Sequence, residues 1–223
     1  MSVFPRYRHI VNPRLKHTYI SLDDAGDIIV KSPEVSSEYI EKLLLKKSSW
    51  INNAREKFTQ KKGKALDFSK PLELYYYGQA YPLVIEKYTK KKIILKFNEN
   101  RFILQYSKYD KNMFQKHIDN FYKEKAKNLI PVLVEKWASQ MELFPRKVSF
   151  RKTKRQWGSC SANNNLSFNT MMLKLPLEVI EYIVIHELAH IACKHHKKSF
   201  WKLIEKYLPD YREHIKILKS YTT

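Results

Sequence analysis

The residues best suited to chemistry lie near the C-terminus, in IVIHELAHIACKHHKKSFW, where His186, Glu187 and His190 stand in the pattern H-E-x-x-H. Residues four apart share one face of a helix, so both imidazoles can reach a single divalent ion at about 2.0–2.1 Å. Glu187 then sits beside the ion without binding it. A carboxylate so placed takes a proton from a metal-activated water, which leaves a nucleophile able to attack a carbonyl carbon. The reaction implied is hydrolysis. Imidazole suits zinc, and also manganese, iron or nickel.

A catalytic three-ligand site needs one more donor. On a continuous helix, at about 100° and 1.5 Å per residue, His195 would point away from His186, and His196 would lie about 80° round and about 15 Å further along. The helix must therefore stop near Cys193 and Lys194 and fold back. Lys194 suits the negative end of the helix, and His195 suits a left-handed turn. This favours His196 as the third ligand, with His195 next and Glu205 or Asp210 as more distant alternatives.

The element that must carry the motif begins after Pro176. Val179, Ile180, Ile183, Val184, Leu188 and Ile191 give it the apolar stripe of a core helix. Strands are expected at 147–152, 155–159 and 166–169, with a turn at 162–165. A strand beside such a helix can pair with an extended substrate, so 156–161 is a candidate edge, and Gly158 would let a backbone approach closely. Arg155, Trp157 and Ser159 are accordingly candidate substrate-binding residues. The same stretch reads equally well as a packed strand whose Trp157 fills the core. Lys154 or Arg155 could hold a phosphate or carboxylate, and Tyr207 or Tyr211 could polarise an oxyanion. Cys160 reads as a small buried hydrophobe rather than a ligand, and Phe200 and Trp201 as packing for the helix that follows.

Further upstream, polar and apolar residues alternate over 17–32 around a turn at 23–27, which predicts a β-hairpin. Ser36, Ser37 and Glu38 start a helix through Tyr39, Ile40, Leu43 and Leu44. A second helix is expected over 48–61, with Trp50, Ile51, Ala54 and Phe58 on one stripe, closed by 61–64. Residues 72–106 read as an antiparallel β-meander. Residues 111–141 read as a long helix, with Phe114, Ile118, Phe121, Tyr122, Leu133, Val134 and Trp137 apolar and Pro131 kinking or interrupting it. The expected class is α+β. A boundary near residue 110 would divide a β-rich part with a helical pair (1–110) from a helical part with a short sheet (111–223).

At 223 residues and 26.8 kDa, the chain has room for one large domain or two small ones. With 43 % hydrophobic and 29 % charged residues it falls outside the disordered and fibrous classes. No apolar run is long enough to span a bilayer, and the basic N-terminus lacks a signal-peptide core, so a cytoplasmic protein without membrane contact is expected. The two cysteines, Cys160 and Cys193, are expected as reduced thiols. The formal net charge of +20 is spread along the chain. Such an excess attracts polyanions, nucleic acid among them. The densest patch is Arg146, Lys147, Arg151, Lys152, Lys154 and Arg155, without an intervening acid.

The segment RQWGSCSANNNLSFNTMMLKLPLEVIEYIVIHELAHIACKHHKKSFWKLIEKYLPDY resembles the core of the YgjP-like metallopeptidase family. That family's pattern is a WGSCS strand, an N-L-S-x-N turn and strand, a V-I-x-Y-V-V-x-H-E-L-x-H helix, then N-H, F-W and P-D-W. The match is close over 155–211 and looser over SPEVSSEYIEKLLLKKSSWI. This chain has His195 where the family has Asn, and Tyr211 where it has Trp. The resemblance implies a zincin-like C-terminal part, with His186, His190 and His196 as Zn²⁺ ligands and Glu187 as the base. It further implies kinship with SprT- and Wss-type proteases, which act on DNA–protein crosslinks. The expected activity is therefore zinc-dependent hydrolysis of peptide bonds in a peptide or protein substrate, with nucleic acid as a possible partner. A metal-dependent UTP pyrophosphatase and a non-catalytic, basic nucleic-acid-binding protein are the alternatives.

Overall fold

The computed structural model describes residues 6–23, 26–60, 66–68, 70–89 and 91–222. The turn residues Asp24 and Ala25, the side chain of Phe58 and the 61–64 stretch lie outside the described residues. The chain forms two compact units, Met1–Ala65 and Leu66–Thr223.

In the first unit the expected hairpin is present. Strand β2 (Tyr19–Leu22) pairs antiparallel with β3 (Ile28–Ser32), and β1 (Tyr7–Val11), which periodicity alone did not reveal, pairs parallel with β3 on the other side. Helix α1 (Ser37–Lys46) starts where Ser36 accepts the Tyr39 N–H, and α2 is Ser48–Gln60. Ile28, Val30, Ile40, Leu44 and Ile51 form this unit's core.

The second unit begins with β4 (Leu72–Tyr76), β5 (Gln79–Lys87), β6 (Ile94–Asn98) and β7 (Arg101–Tyr106). These strands are not a simple meander. Their order is β4-β5-β7-β6, with β5 parallel to β7 and Leu83 opposite Phe102. The strands bearing the buried Leu83, Phe102 and Leu104 take the centre, and the half-buried β6 takes an edge. The sheet shares one core with helix α3 (Lys111–Met141), whose Phe114, Ile118 and Tyr122 pack with Leu74, Phe102 and Leu104. Tyr122 also donates its hydroxyl to the Tyr75 carbonyl at 2.5 Å. This shared core joins the four strands and α3 within one compact unit, Leu66–Thr223. Helix α3 runs uninterrupted through Pro131, its buried stripe continuing from Phe114 to Met141.

The second sheet, β8 (Lys147–Arg151), β9 (Gly158–Cys160) and β10 (Asn165–Asn169), has the order β8-β10-β9, leaving β9 at an edge. β9 starts later than the expected 155–159 strand. The preceding loop is tied instead by the buried Asn169, whose amide donates to the carbonyls of Thr153 and Gln156. A 3-10 helix, Thr170–Lys174, leads to α4 (Leu177–Ala192), α5 (Lys198–Tyr207) and α6 (Tyr211–Leu218). The α4 residues Val179, Ile180, Val184, Ile185, Leu188 and Ala189 are fully buried. The architecture is α+β. Among the described residues no helix is long and apolar enough to cross a membrane.

Candidate metal centre

His186, Glu187 and His190 lie on the last two turns of α4, which ends at Ala192. Cys193 is extended (φ −128°, ψ 97°) and turns the chain back; its N–H still donates to the Ala189 carbonyl. His195 is not in the left-handed region, so the expected left-handed turn there is absent. The reversal brings His196 Nε2 to 3.1 Å from His186 Nε2. One nitrogen from each of His186, His190 and His196 lies within 4.8 Å of the others, and this is the one such metal-competent cluster among the described residues. Ligands at 2.0–2.1 Å in tetrahedral geometry sit about 3.3 Å apart, close to the His186–His196 spacing.

The three rings are held and aimed. His190 Nδ1 lies 3.0 Å from the Cys193 carbonyl, which can only accept, so Nδ1 carries the proton and Nε2 keeps its lone pair. His186 Nδ1 is 3.2 Å from the Tyr182 hydroxyl. Phe200 stacks on His190 with centroids 4.5 Å apart, and Trp201 stacks on His196 at 5.8 Å while its Nε1–H donates to the His196 carbonyl. Burial, reinforced by the neighbouring His190 and His196, lowers the His186 pKa to about 3, and burial also lowers that of His190. Neutral imidazoles with converging lone pairs are the donor set a divalent ion requires.

Glu187 is buried, 6 % exposed, and burial alone raises its pKa to about 8. Its side chain lies directly on β9. A Cβ added at Gly158 would stand 2.6 Å from both Glu187 Cγ and Oε1. Gly158 therefore permits a close approach, and the group that approaches is Glu187.

The other sequence candidates are dispersed. Arg155 is exposed in the loop before β9, Ser159 is half-buried opposite Ser167 on β10, and the Trp157 indole belongs to the core. His195 is exposed and accepts the Lys197 N–H. Glu205 pairs with Arg212 at 3.0 Å, and Asp210 lies 3.4 Å from His214. Tyr211 is buried and stacked on Trp201. Phe200 and Trp201, expected only as helix packing, contact the histidine rings themselves. Tyr182 escaped the sequence reading, although its place four residues before His186 put it on the same helix face.

Three imidazoles converging on one point suit a metal ion, and a buried acid next to them suits a hydrolase, so the class is that of metal-dependent hydrolases. Residues 16–221 match the YgjP-like metallopeptidase domain, and the chain belongs to that family. Among solved structures, the metallopeptidase zymogen abylysin of Pyrococcus abyssi is 27 % identical, covering 39 % of this chain and 88 % of its own, with a TM-score of 0.36. The zymogen jannalysin of Methanocaldococcus jannaschii is 21 % identical, covering 40 % of this chain and 94 % of its own, with a TM-score of 0.37. No curated protein matches the chain.

Proposed function

We propose that this chain is a zinc-dependent peptidase in which His186, His190 and His196 hold the ion and Glu187 is the general base. The observation that carries the reading is the convergence of the three imidazole nitrogens within 4.8 Å, next to a buried carboxyl group. Bound zinc supplies Lewis acidity, which polarises a carbonyl and acidifies water. Glu187 takes the proton of the attacking water and returns it to the departing amine. A buried carboxyl group is protonated by default, and a cation among the imidazoles opposes that by favouring the carboxylate. The outer edge of β9 offers main-chain pairing to an extended peptide, with Arg155 from the loop before it and Ser159 from the strand beside that peptide, while Trp157 anchors the strand in the core.

Metal analysis of the purified chain tests this directly. Wild type and Glu187→Gln should each hold about one zinc, His196→Ala should hold far less, and casein cleavage should vanish in Glu187→Gln. UTP turnover that needs Glu187, without peptide cleavage, would replace the peptidase with a nucleotide hydrolase. Action on proteins carried by nucleic acid draws its support from the net charge of +20. Binding to DNA should then weaken with salt at a log–log slope of about −0.9 per phosphate contacted, and a flat salt response would remove that extension.

A further inference from the structure

We propose that Lys194 is a positioning residue for the metal centre, clamping the loop that carries His196 onto the turn between β9 and β10. The inference rests on the reading of His196 as a metal ligand. Lys194 Nζ lies 2.6 Å from Asn164 Oδ1, 2.9 Å from the Ser161 carbonyl and 3.3 Å from Cys160 Sγ. An ammonium group has three donors, and all three are used on the end of β9 and the turn that follows it. An exposed lysine ordinarily keeps its rotamer freedom, so three partners from one rigid acceptor are what hold it still.

The acceptor is rigid because it is bonded to itself and to its surroundings. Ser161 N–H donates to the Asn165 carbonyl, Asn164 N–H to the Ser161 carbonyl and Asn165 N–H to Ser161 Oγ. Arg146 N–H reaches the Asn164 carbonyl, and Asn164 itself is left-handed at φ 58°. On the other side, the loop after α4 is pinned at Cys193 by His190 and at His196 by Trp201, contacts made with α4 and α5. Lys194 links this loop to the sheet. Through it the third imidazole and the strand lying on Glu187 share one frame, so ligand and base keep their spacing.

Electrostatics alone predicts the reverse of this role. Removing a positive charge near a bound cation should tighten metal binding, so weaker binding after its removal reports positioning. The test uses the full-length chain and Zn²⁺ in competition with a chromophoric chelator. It compares wild type, Lys194→Met, His196→Ala and the double variant, each with its metal-free thermal midpoint. Lys194→Met should bind about 10-fold more weakly, as loss of a partner that orients a ligand does. In the His196→Ala background the same change should cost nothing further. Asn164→Gly, which keeps the left-handed turn and removes the shortest contact, should reproduce part of the loss.

Unchanged or tighter binding by Lys194→Met overturns the proposal, as does a loss that persists undiminished without His196. Should His196→Ala bind as tightly as wild type, the ligand set itself is wrong and the inference falls with it.

Discussion

Gly158 and Glu187 occupy the same space to within a methyl group: the position a Cβ would take at Gly158 is 2.6 Å from Glu187 Cγ and Oε1. A smaller residue than glycine does not exist, so the β9 backbone has closed on the carboxyl group as far as chemistry permits. Gly158→Ala must push Glu187 aside or bend β9. Overpacking of this kind costs about 1–3 kcal/mol of stability, and a shift of about 1 Å in a catalytic group costs on the order of 10²-fold in rate. Peptide cleavage should therefore fall about 100-fold in Gly158→Ala while zinc content stays at the wild-type level. Wild-type turnover by this variant would show that the placement of Glu187 is not critical.

Tyr182 stands one helical turn below His186, with its hydroxyl 3.2 Å from Nδ1. A ligand imidazole needs its far nitrogen bonded so that ring orientation and tautomer are fixed. Phenylalanine preserves the buried ring and removes only that bond. Tyr182→Phe should keep the fold and lose about 10- to 100-fold in zinc affinity, measured by chelator competition. A dissociation constant equal to that of wild type would leave the hydroxyl without a role at the metal.

The convergence of His186, His190 and His196 was legible because its constraints are local. Four-residue spacing fixes a helix face, and the failure of a straight helix to deliver His196 required a reversal near Cys193, where α4 does end. The conformation of that reversal was not legible. Backbone bonds at Cys193, a Trp201 donor and the Lys194 clamp define it, and these depend on partners up to 34 residues away. The same division runs through the fold. Helices α1, α3 and α4 follow from caps and stripes, whereas the parallel pairs β1–β3 and β5–β7 depend on which strands bury both neighbours. Alternation along one strand carries no information about that choice. Gly158 was expected to admit the backbone of a substrate strand; the group that approaches it is the Glu187 side chain, a fact of packing between α4 and β9.

Helix α3 ends on a left-handed Glu142 at φ 56°, whose N–H reaches the Ala138 carbonyl. The residue is exposed and its acid sits at the negative end of the helix dipole. Glycine adopts this conformation without a Cβ penalty. Glu142→Gly should raise stability by about 0.5–1 kcal/mol, visible as a higher urea midpoint with an unchanged m-value and unchanged peptide cleavage. A lower midpoint would mean that the Glu142 side chain contributes more than its backbone strain removes.

Without its ion, the centre should confine stability to a narrow pH range. The His186 pKa falls from an ordinary 6.5 to about 3 in the folded chain. Its contribution is therefore complete above 6.5 and is lost as pH falls towards 3, where the unfolded chain takes up a proton that the folded one refuses. The Glu187 pKa rises from an ordinary 4.5 to about 8. Its contribution is complete below 4.5 and is lost as pH rises through 8, because the unfolded carboxyl group ionises first. The chelator-treated protein should thus be most stable between about pH 4.5 and 6.5. Each arm is on the order of a few kcal/mol, at 1.36 kcal/mol per pKa unit. Urea midpoints from pH 4 to 9 measure both arms. Glu187→Gln should flatten the alkaline arm and leave the acid arm intact. An alkaline decline that survives Glu187→Gln would have to come from another buried group, and the burial of Glu187 would then not govern the pH response of the metal-free chain.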